Sequence, residues 1–211
     1  MQNIDFIKQE QIIVGTLLGD GYMAYQKSIT QNHKLQFTHS LKQKEYAFWK
    51  ANQIGLPFST YYRNRFDKRT GKTYNSVEIS FNADNLFNYY YDMFYIDKKR
   101  VATAIMLQRL QKLGIVTWYC DDGNLYLSKD TKVLTLSTDS FSYQEKELAI
   151  NLFKYKYDLN FKKTNKGAIR LVSLREIRKF MAIFGPFIPN CMAYKKTYLD
   201  FKTYRNRYYG N

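Results

Sequence analysis

Two apolar segments, each ending in an Asp-Gly pair, constrain this chain more than any other feature. Residues 14–23 read VGTLLGDGYM and residues 115–124 read IVTWYCDDGN, which places Asp20 and Asp122 at an offset of 102 positions. A lone Asp-Gly pair is common in turns, because both residues tolerate turn conformations. Two apolar runs that end in the same way at domain spacing instead indicate an internal duplication.

The same offset recurs downstream of the two motifs. Ser40 begins SLKQKEY and Ser142 begins SYQEKEL, again 102 positions apart. Each stretch matches a capping box, Ser-x-x-Gln/Glu, and predicts the start of an amphipathic helix. Basic strand pairs follow in both halves, at residues 59–81 and at the shorter stretch 159–174. The period is too long, and the copies are too few, for a helical repeat array.

The order of predicted elements is the same in each half. An apolar helix leads into a first hairpin, at residues 22–38 or 124–139, whose alternating apolar and polar residues indicate strands. A capped helix, a second hairpin and a further helix follow. We therefore predict an α+β fold, a pseudo-twofold duplicated αββαββα repeat with two antiparallel-sheet saddles and a central two-helix interface. The repeats would span residues 1–105 and 106–211.

Charge and composition narrow the class of partner. The 211 residues include 33 Lys and Arg against 18 Asp and Glu, a net charge of +15, with a pI near 9.6. This surplus favours a polyanion, most often nucleic acid, over the alternative of a basic protein without such a partner. Two histidines and two cysteines without metal-like spacing argue against a zinc site and against a disulfide.

Membrane and targeting signals are absent from the sequence pattern. No apolar run approaches the roughly eighteen residues that a transmembrane helix needs, so we expect no membrane partner. The first residues, MQNIDFIKQEQ, lack the features of a signal or transit peptide. The expected location is therefore the compartment of synthesis, which is a mitochondrion or chloroplast for an organelle-encoded chain and otherwise a bacterial or phage-infected cytoplasm.

Twofold symmetry in a basic protein suits a DNA duplex, whose strands are related by local dyads. Gly15 and Gly19, at positions i and i+4, allow the two apolar helices to pack closely. Each helix would then deliver its terminal carboxylate, Asp20 or Asp122, to one place. Paired carboxylates suit Mg²⁺, which prefers oxygen ligands, and the ions would activate water at a phosphodiester. The alternative is that both aspartates are ordinary turn residues.

Segments IVGTLLGDG, residues 13–21, and IVTWYCDDG, residues 115–123, resemble the nine-letter motif of the single-chain LAGLIDADG homing endonucleases. QFTHSLKQKEY, DKKRV and IPNCMAYKKTYL are also similar to segments of intron-encoded members, so the resemblance covers nearly the whole chain. It implies a monomeric, site-specific endonuclease, a phosphodiester hydrolase that cuts double-stranded DNA at a long, asymmetric target and promotes mobility of its intron or intein. The implied cofactor is Mg²⁺, with Mn²⁺ as a substitute.

The resemblance also implies which residues bind metal. Asp20 and Asp122 match the metal-binding aspartates, and the preceding residues, Gly19 and Asp121, would offer backbone carbonyls near a metal. The motif departs from the family pattern at Thr117, where the first copy keeps a glycine. This departure predicts a helix interface that is asymmetric, or slightly wider, at this position.

The implied catalytic lysines are Lys99 and Lys195, with Lys98 and Lys196 as neighbouring alternatives. A cation at this place would stabilise the charge that develops at the scissile phosphate. We expect His39 to be structural. For the residue that positions the attacking water, the nearest matches are Thr38 and Ser137, with Gln36 and Asp139 as alternatives.

The second hairpins carry the predicted DNA contacts. Arg63 and Arg65 share one strand face, and Tyr62, Asn64 and Phe66 share the other. A two-stranded ribbon fits the major groove, where arginine can read guanine and most lysines touch only phosphate; the alternative is a solvated basic face. The predicted DNA-binding residues are Arg63, Arg65, Lys68, Arg69 and Lys72 in the first half, and Lys162, Lys163, Lys166 and Arg170 in the second.

Two further functions fit the same fold. A maturase would bind its intron RNA and assist splicing, and a non-catalytic regulator would bind DNA without cutting it. Both aspartates of the motifs are retained, which favours cleavage, because neither rival needs metal-binding carboxylates. One chain can combine cleavage with RNA binding, so intron RNA remains an alternative partner.

Overall fold

The computed structural model describes residues 5–25, 32–165 and 167–196. It confirms the predicted α+β fold, with two four-stranded antiparallel sheets that are backed by helices. Across these described ranges, no helix is both long enough and apolar enough to cross a bilayer. The predicted DNA contact Lys166 and the basic, aromatic stretch from residue 197 onward lie outside them.

The N-terminal repeat begins with the apolar helix of the first motif. Asp5 caps this helix, because its side chain accepts a hydrogen bond from the Lys8 amide at 3.1 Å. The elements follow in the predicted order. They are α1 (Phe6–Leu18), β1 (Gly21–Tyr25), β2 (His33–Ser40), a 3₁₀ turn (Leu41–Gln43), α2 (Lys44–Ile54), β3 (Phe58–Asp67), β4 (Lys72–Phe81), α3 (Asn85–Phe94), β5 (Tyr95–Ile96) and β6 (Lys99–Arg100).

A short helix, α4 (Ala104–Arg109), joins the two repeats, and the predicted boundary between residues 105 and 106 falls inside it. The C-terminal repeat then presents the same order of elements, with a shorter second hairpin. They are α5 (Lys112–Asp122), β7 (Gly123–Leu127), β8 (Lys132–Leu136), α6 (Tyr143–Tyr157), β9 (Lys162–Lys163), β10 (Ile169–Leu171), α7 (Leu174–Phe184) and 3₁₀ turns at Gly185–Phe187 and Asn190–Lys196.

The two sheets share one topology. Their strand orders are β1-β2-β4-β3 and β7-β8-β10-β9. Their registers also correspond, since Gly21 pairs with Phe37 in the first sheet and Gly123 pairs with Leu136 in the second. The sheets differ in reach, because β3 and β4 have ten residues each whereas β9 has two and β10 has three.

One face of each sheet is buried against helices. In the first sheet Phe37 and Ile79 are fully buried, and in the second Ile169 and Leu171 are. Burial of each such side chain contributes about 1.5–3 kcal/mol relative to exposure. The opposite face of each sheet is left for the polar residues described below.

The central interface depends on glycine. A Cβ placed at Gly15 would lie 2.4 Å from the carbonyl oxygen of Gly114 and 2.7 Å from Cβ of Thr117. A Cβ at Gly114 would lie 2.6 Å from Oε1 of Gln11. Helices α1 and α5 therefore pack backbone against backbone, as the glycine spacing predicts. The predicted asymmetry is also present, because Thr117 is fully buried opposite Gly15.

The two predicted capping boxes have different outcomes. At Ser142 the box is complete, since Oγ accepts from the Glu145 amide at 3.2 Å and the Glu145 carboxylate accepts from the Ser142 amide at 2.7 Å. The prediction at Ser40 is wrong. That residue begins a 3₁₀ turn without a side-chain cap, and its Oγ instead donates to Oε1 of Gln43 at 3.3 Å. The turn displaces the start of α2 to Lys44.

Candidate active site at the helix interface

The carboxyl ends of α1 and α5 meet between the two sheets. Helix α1 ends at Leu18, so Asp20 lies just beyond it, while Asp122 is the last residue of α5. The Asp20 amide donates to Oδ2 of Asp121 at 3.3 Å, which ties the two motifs together. The Asp122 carbonyl accepts from the Ser137 amide at 3.1 Å, which ties the second motif to its own hairpin.

Asp20 and Asp122 interact electrostatically. Burial, followed by the negative charges of Asp20 and Asp121, raises the pKa of Asp122 from 3.8 to about 7. Burial and the charge of Asp121 raise the pKa of Asp20 to about 6. Repulsion between neighbouring carboxylates is relieved when a divalent cation binds between or beside them. Both predicted metal-binding aspartates therefore lie where a cation is favoured.

Asp121 is held differently from the two aspartates beside it. Its side chain is fully buried, as is that of Lys50, and Lys50 Nζ lies 3.0 and 2.9 Å from its two oxygens. Tyr46 Oη donates to Oδ1 at 2.8 Å. Since Lys50 and Tyr46 belong to α2, the carboxylate of the second motif is neutralised by the first repeat.

His39 lies among these carboxylates, a placement that the sequence analysis missed. Its side chain is 2% exposed, with Nδ1 3.5 Å from Oδ2 of Asp20 and Nε2 3.8 Å from Oδ1 of Asp121. One ligand atom from each of the three residues lies within 4.8 Å of the others. Burial, together with the neighbouring Lys50 charge, lowers the pKa of His39 to about 3, so the imidazole is neutral at pH 7.

The predicted lysine Lys195 does lie at this site. Its Nζ donates to the carbonyls of Cys120 and Gly123 at 2.6 and 2.8 Å, and burial lowers its pKa. The alternative, Lys196, points elsewhere and donates to the Ile188 carbonyl at 3.2 Å.

In the first repeat Arg100 makes the contacts that correspond to those of Lys195, and the predicted Lys99 lies beside it. Nη1 of Arg100 donates to the carbonyls of Gly19 and Gly21 at 2.9 and 2.8 Å. Lys99 precedes it on the two-residue strand β6 and is exposed. Lys98, the alternative, lies in the preceding turn with a φ of 62°.

The water-positioning candidates occupy different environments. Gln36 is buried on β2, and its Nε2 donates to Oγ of Ser80 at 3.0 Å. Thr38, two residues further along the same face, is exposed, as is Asp139 in the second repeat. Ser137 contributes its amide to the Asp122 carbonyl. No contact singles out one of the four.

The first sheet presents arginines on the face opposite its core. Arg63 and Arg65 alternate with Tyr62, which is paired with the buried Val77 and so defines the core side. Arg63 is 61% exposed and forms an ion pair with Glu78 at 2.9 Å, whereas Arg65 is exposed. The remaining predicted contacts of this repeat, which are Lys68, Arg69 and Lys72, are exposed at the tip of the hairpin.

In the second sheet the predicted DNA-binding residues lie on both faces, the open face and the face covered by helices. Lys162 pairs with Arg170 in register, whereas Lys163 pairs with the buried Ile169. Lys163 forms an ion pair with Glu147 of α6, and its Nζ lies 3.5 Å from the ring centre of Tyr143. Lys163 therefore faces the helices, so of this pair only Lys162 lies on the open face with Arg170.

A duplicated α+β fold with two carboxylates at its helix junction and a polar face on each sheet is the architecture of a DNA-cleaving class of proteins. The chain belongs to the LAGLIDADG DNA endonuclease family, whose family model matches residues 10–180.

Relatives in sequence extend over most of the chain. An uncharacterised protein of Methanocaldococcus jannaschii is 27% identical over 185 residues, which cover 84% of this chain and 68% of that protein. A probable intron-encoded endonuclease of Wickerhamomyces canadensis is 26% identical over 196 residues, which cover 89% of this chain and 83% of that protein.

Solved structures support the fold. The homing endonuclease I-WcaI bound to its DNA recognition sequence matches with a TM-score of 0.76 and 22% identity, over 93% of this chain and 88% of that one. I-DmoI in complex with DNA and Mn matches with a TM-score of 0.50 and 12% identity, over 85% of this chain and 97% of that one. At these identities the likeness establishes the shared architecture.

Proposed function

We propose that this protein is a site-specific, metal-dependent homing endonuclease that hydrolyses both strands of double-stranded DNA. The observation that carries the proposal is the meeting of Asp20 and Asp122 at the ends of two closely packed helices, between two sheets with open polar faces. Each half of the pseudo-twofold site would act on one strand, because the strands of a duplex are themselves related by a dyad.

The donor set fits a divalent cation. The charge of Asp20 raises the pKa of Asp122, and the charge of Asp121 raises the pKa of both, so a bound cation relieves repulsion that the metal-free protein retains. Carboxylate oxygens suit Mg²⁺, for which Mn²⁺ is the natural substitute. The metal would supply activation of water and stabilisation of the leaving oxygen. Asp20 and Asp122 would each hold one such ion, one for each repeat.

The cations of the site would act on the phosphate. Lys195 and Arg100 lie behind the second and first motifs respectively, each donating to backbone carbonyls next to a motif aspartate. A positive charge fixed there stabilises the negative charge that develops at the scissile phosphate. For Lys99 a catalytic role remains a prediction, and its exposed position on β6 leaves Arg100 better placed to serve the first repeat.

The sheets would position the duplex. Strands β3 and β4 have ten residues each, and at about 3.3 Å per residue they extend roughly 33 Å, about the length of ten base pairs. The short strands β9 and β10 give the second sheet a smaller open face. A monomer with two unequal arms suits a long, asymmetric target. A relative named as an intron-encoded endonuclease supports a role in mobility of the encoding element.

The test is cleavage of a randomised duplex library, followed by sequencing of the cut molecules. Wild type with Mg²⁺ should cut both strands at one selected sequence. Asp20→Asn and Asp122→Asn should each abolish double-strand cleavage and leave binding of that duplex largely intact, because affinity comes mainly from the basic faces. Asp130→Asn, an exposed aspartate in the β7–β8 turn, is the matched control and should cut normally. Ca²⁺ should support binding without cleavage.

Two results would contradict the proposal. Cleavage of both strands at the wild-type rate by either motif variant would exclude the paired-carboxylate mechanism. Tighter binding to the folded intron RNA than to any selected duplex would favour the maturase instead. Sequencing of the DNA that flanks the encoding element supplies an independent candidate target, because the uninterrupted junction is the site that mobility requires.

A further inference from the structure

His39 and Asp20 are spaced like two ligands of one metal ion. Nδ1 of His39 lies 3.5 Å from Oδ2 of Asp20. Two ligands that are each about 2.1 Å from an ion lie about 3.0 Å apart at a right angle and about 3.4 Å apart at a tetrahedral angle. A shift of about 0.1 Å would therefore bring both atoms to a common ion. Nε2 of the same ring is buried without a hydrogen-bond partner, so His39 is not serving an ordinary structural bond.

Asp121 supports this histidine and is not itself a ligand. Its oxygens receive hydrogen bonds from Lys50, Tyr46 and the Asp20 amide, and the Lys50 ammonium already neutralises its charge, so it is poorly placed to bind a cation. Its Oδ1 also faces Nε2 of His39 at 3.8 Å. Histidines that bind metals commonly direct their second nitrogen at a carboxylate, which fixes the tautomer and the ring orientation. At 3.8 Å this contact is electrostatic and is not a hydrogen bond, so the Asp121 charge favours a proton on Nε2 and leaves Nδ1 of His39 as the free acceptor.

The first repeat also lacks a ligand that the family motif implies. The Gly19 carbonyl, predicted to lie near a metal, accepts a hydrogen bond from Arg100 at 2.9 Å. A guanidinium at that distance opposes a divalent cation on the same oxygen. In the second repeat Lys195 donates to the carbonyls of Tyr119, Cys120 and Gly123, and not to that of Asp121.

The second repeat has no counterpart of His39. Gly21 pairs with Phe37 in the first sheet, and Gly123 pairs with Leu136 in the second, so Phe37 corresponds to Leu136. Two residues after each of these, His39 therefore corresponds to Thr138. Thr138 is buried, and its hydroxyl donates to the Gly167 carbonyl at 2.6 Å. Within the described residues, a histidine nitrogen that could bind a metal therefore lies beside the motif aspartate in the first repeat but not at the corresponding position of the second.

We propose that the two metal sites differ in chemistry: the site of the first repeat uses Asp20 and Nδ1 of His39, and the site of the second uses oxygen ligands around Asp122. This inference rests on the proposed function, because Asp20 is its metal ligand. Imidazole nitrogen favours transition metals over Mg²⁺. The first site therefore selects Mn²⁺ over Mg²⁺ more strongly than the second, and Asp121 acts as the positioning residue for His39.

The test is pulsed electron paramagnetic resonance of Mn²⁺ bound to protein labelled with ¹⁵N only in histidine. The chain has two histidines, so His33→Gln is the matched control; His33 lies away from the carboxylates, stacked on Tyr91 at 3.7 Å. The Asp122→Asn background isolates the first site. Magnetic coupling of Mn²⁺ to ¹⁵N should appear in that background, persist in His33→Gln and disappear in His39→Gln. His39→Gln should also weaken Mn²⁺ at this site by at least about tenfold, with a smaller loss for Mg²⁺.

The outcomes separate this inference from the proposed function. Binding of Mn²⁺ that is lost in Asp20→Asn but shows no coupling to histidine nitrogen would overturn the mixed-ligand site and leave the endonuclease proposal standing. Failure of Mn²⁺ to bind in any Asp20-dependent manner would overturn both. The presence or absence of the ¹⁵N coupling is read from protein that keeps His39. A folding defect in His39→Gln would therefore not affect this result.

Discussion

Removal of the Lys50 ammonium should destabilise the protein far more than removal of any exposed lysine. The side chains of Lys50 and Asp121 are both 0% exposed, and Lys50 is within 3.0 Å of both carboxylate oxygens. Lys50→Met keeps the length and packing of the side chain but leaves the Asp121 charge buried without a counter-ion. Loss of one partner of a buried pair costs about 3–5 kcal/mol. We expect about 3 kcal/mol, because Tyr46 and the Asp20 amide continue to donate.

Urea denaturation of the metal-free protein, followed by circular dichroism, measures this loss as a fall in midpoint at unchanged slope. Lys42→Met, at an exposed lysine just before α2, is the control and should change the free energy of unfolding by less than about 0.5 kcal/mol. Lys50→Met/Asp121→Asn removes the stranded charge and should recover about 2 kcal/mol or more of the loss. If the double variant is no more stable than Lys50→Met, the reasoning from an uncompensated buried charge is refuted.

Three further predictions follow from the site and the sheets. Folding raises the pKa of Asp122 from 3.8 to about 7, so the metal-free protein loses stability as the pH rises from about 4 to about 7. Thermal melts in a chelator should show Asp122→Asn more stable than wild type at pH 8, with the difference vanishing towards pH 4. Arg100→Met should slow cleavage of one strand more than Lys99→Met does on strand-resolved gels, and equal defects would contradict the assignment. Arg65→Ala should relax specificity in one half-site and Lys162→Ala in the other, as a library selection would reveal; loss spread over both arms by either variant would exclude the two-arm arrangement.

The parts of the fold that could be predicted are those fixed by local pattern. Apolar runs that end in Asp-Gly located both central helices, and alternation located the first hairpins, because each signal lies within about ten residues of sequence. The positions of Asp20 and Asp122 at the ends of these helices could be predicted for the same reason. Ser142 and Ser40 carry the same capping motif, yet only Ser142 forms the box, since a 3₁₀ turn after Ser40 displaces the helix.

The parts that could not be predicted depend on contacts between distant segments. Lys50 and Asp121 lie 71 positions apart in different repeats, and nothing in the sequence around either indicates the partner. The sequence also did not show that Arg100, and not Lys99, would contact the first motif. The two-residue turn at Asp97 and Lys98, both with positive φ, sets the register of β6 and therefore the direction of each side chain. One signal could have found His39: it is a polar residue on the apolar face of its strand, beyond Leu35 and Phe37.

The fit of Asp121 against Gly19 makes the two repeats non-interchangeable at the central interface. A Cβ at Gly19 would lie 2.5 Å from Cβ of Asp121, so a larger residue facing Asp121 is excluded. Two copies of the C-terminal repeat would set one Asp121 against another, and two copies of the N-terminal repeat would bury two Lys50 ammonium groups without a carboxylate. Neither repeat can therefore replace the other. If the two repeats are made as separate polypeptides, they should form a heterodimer of one N-terminal and one C-terminal repeat, and neither homodimer.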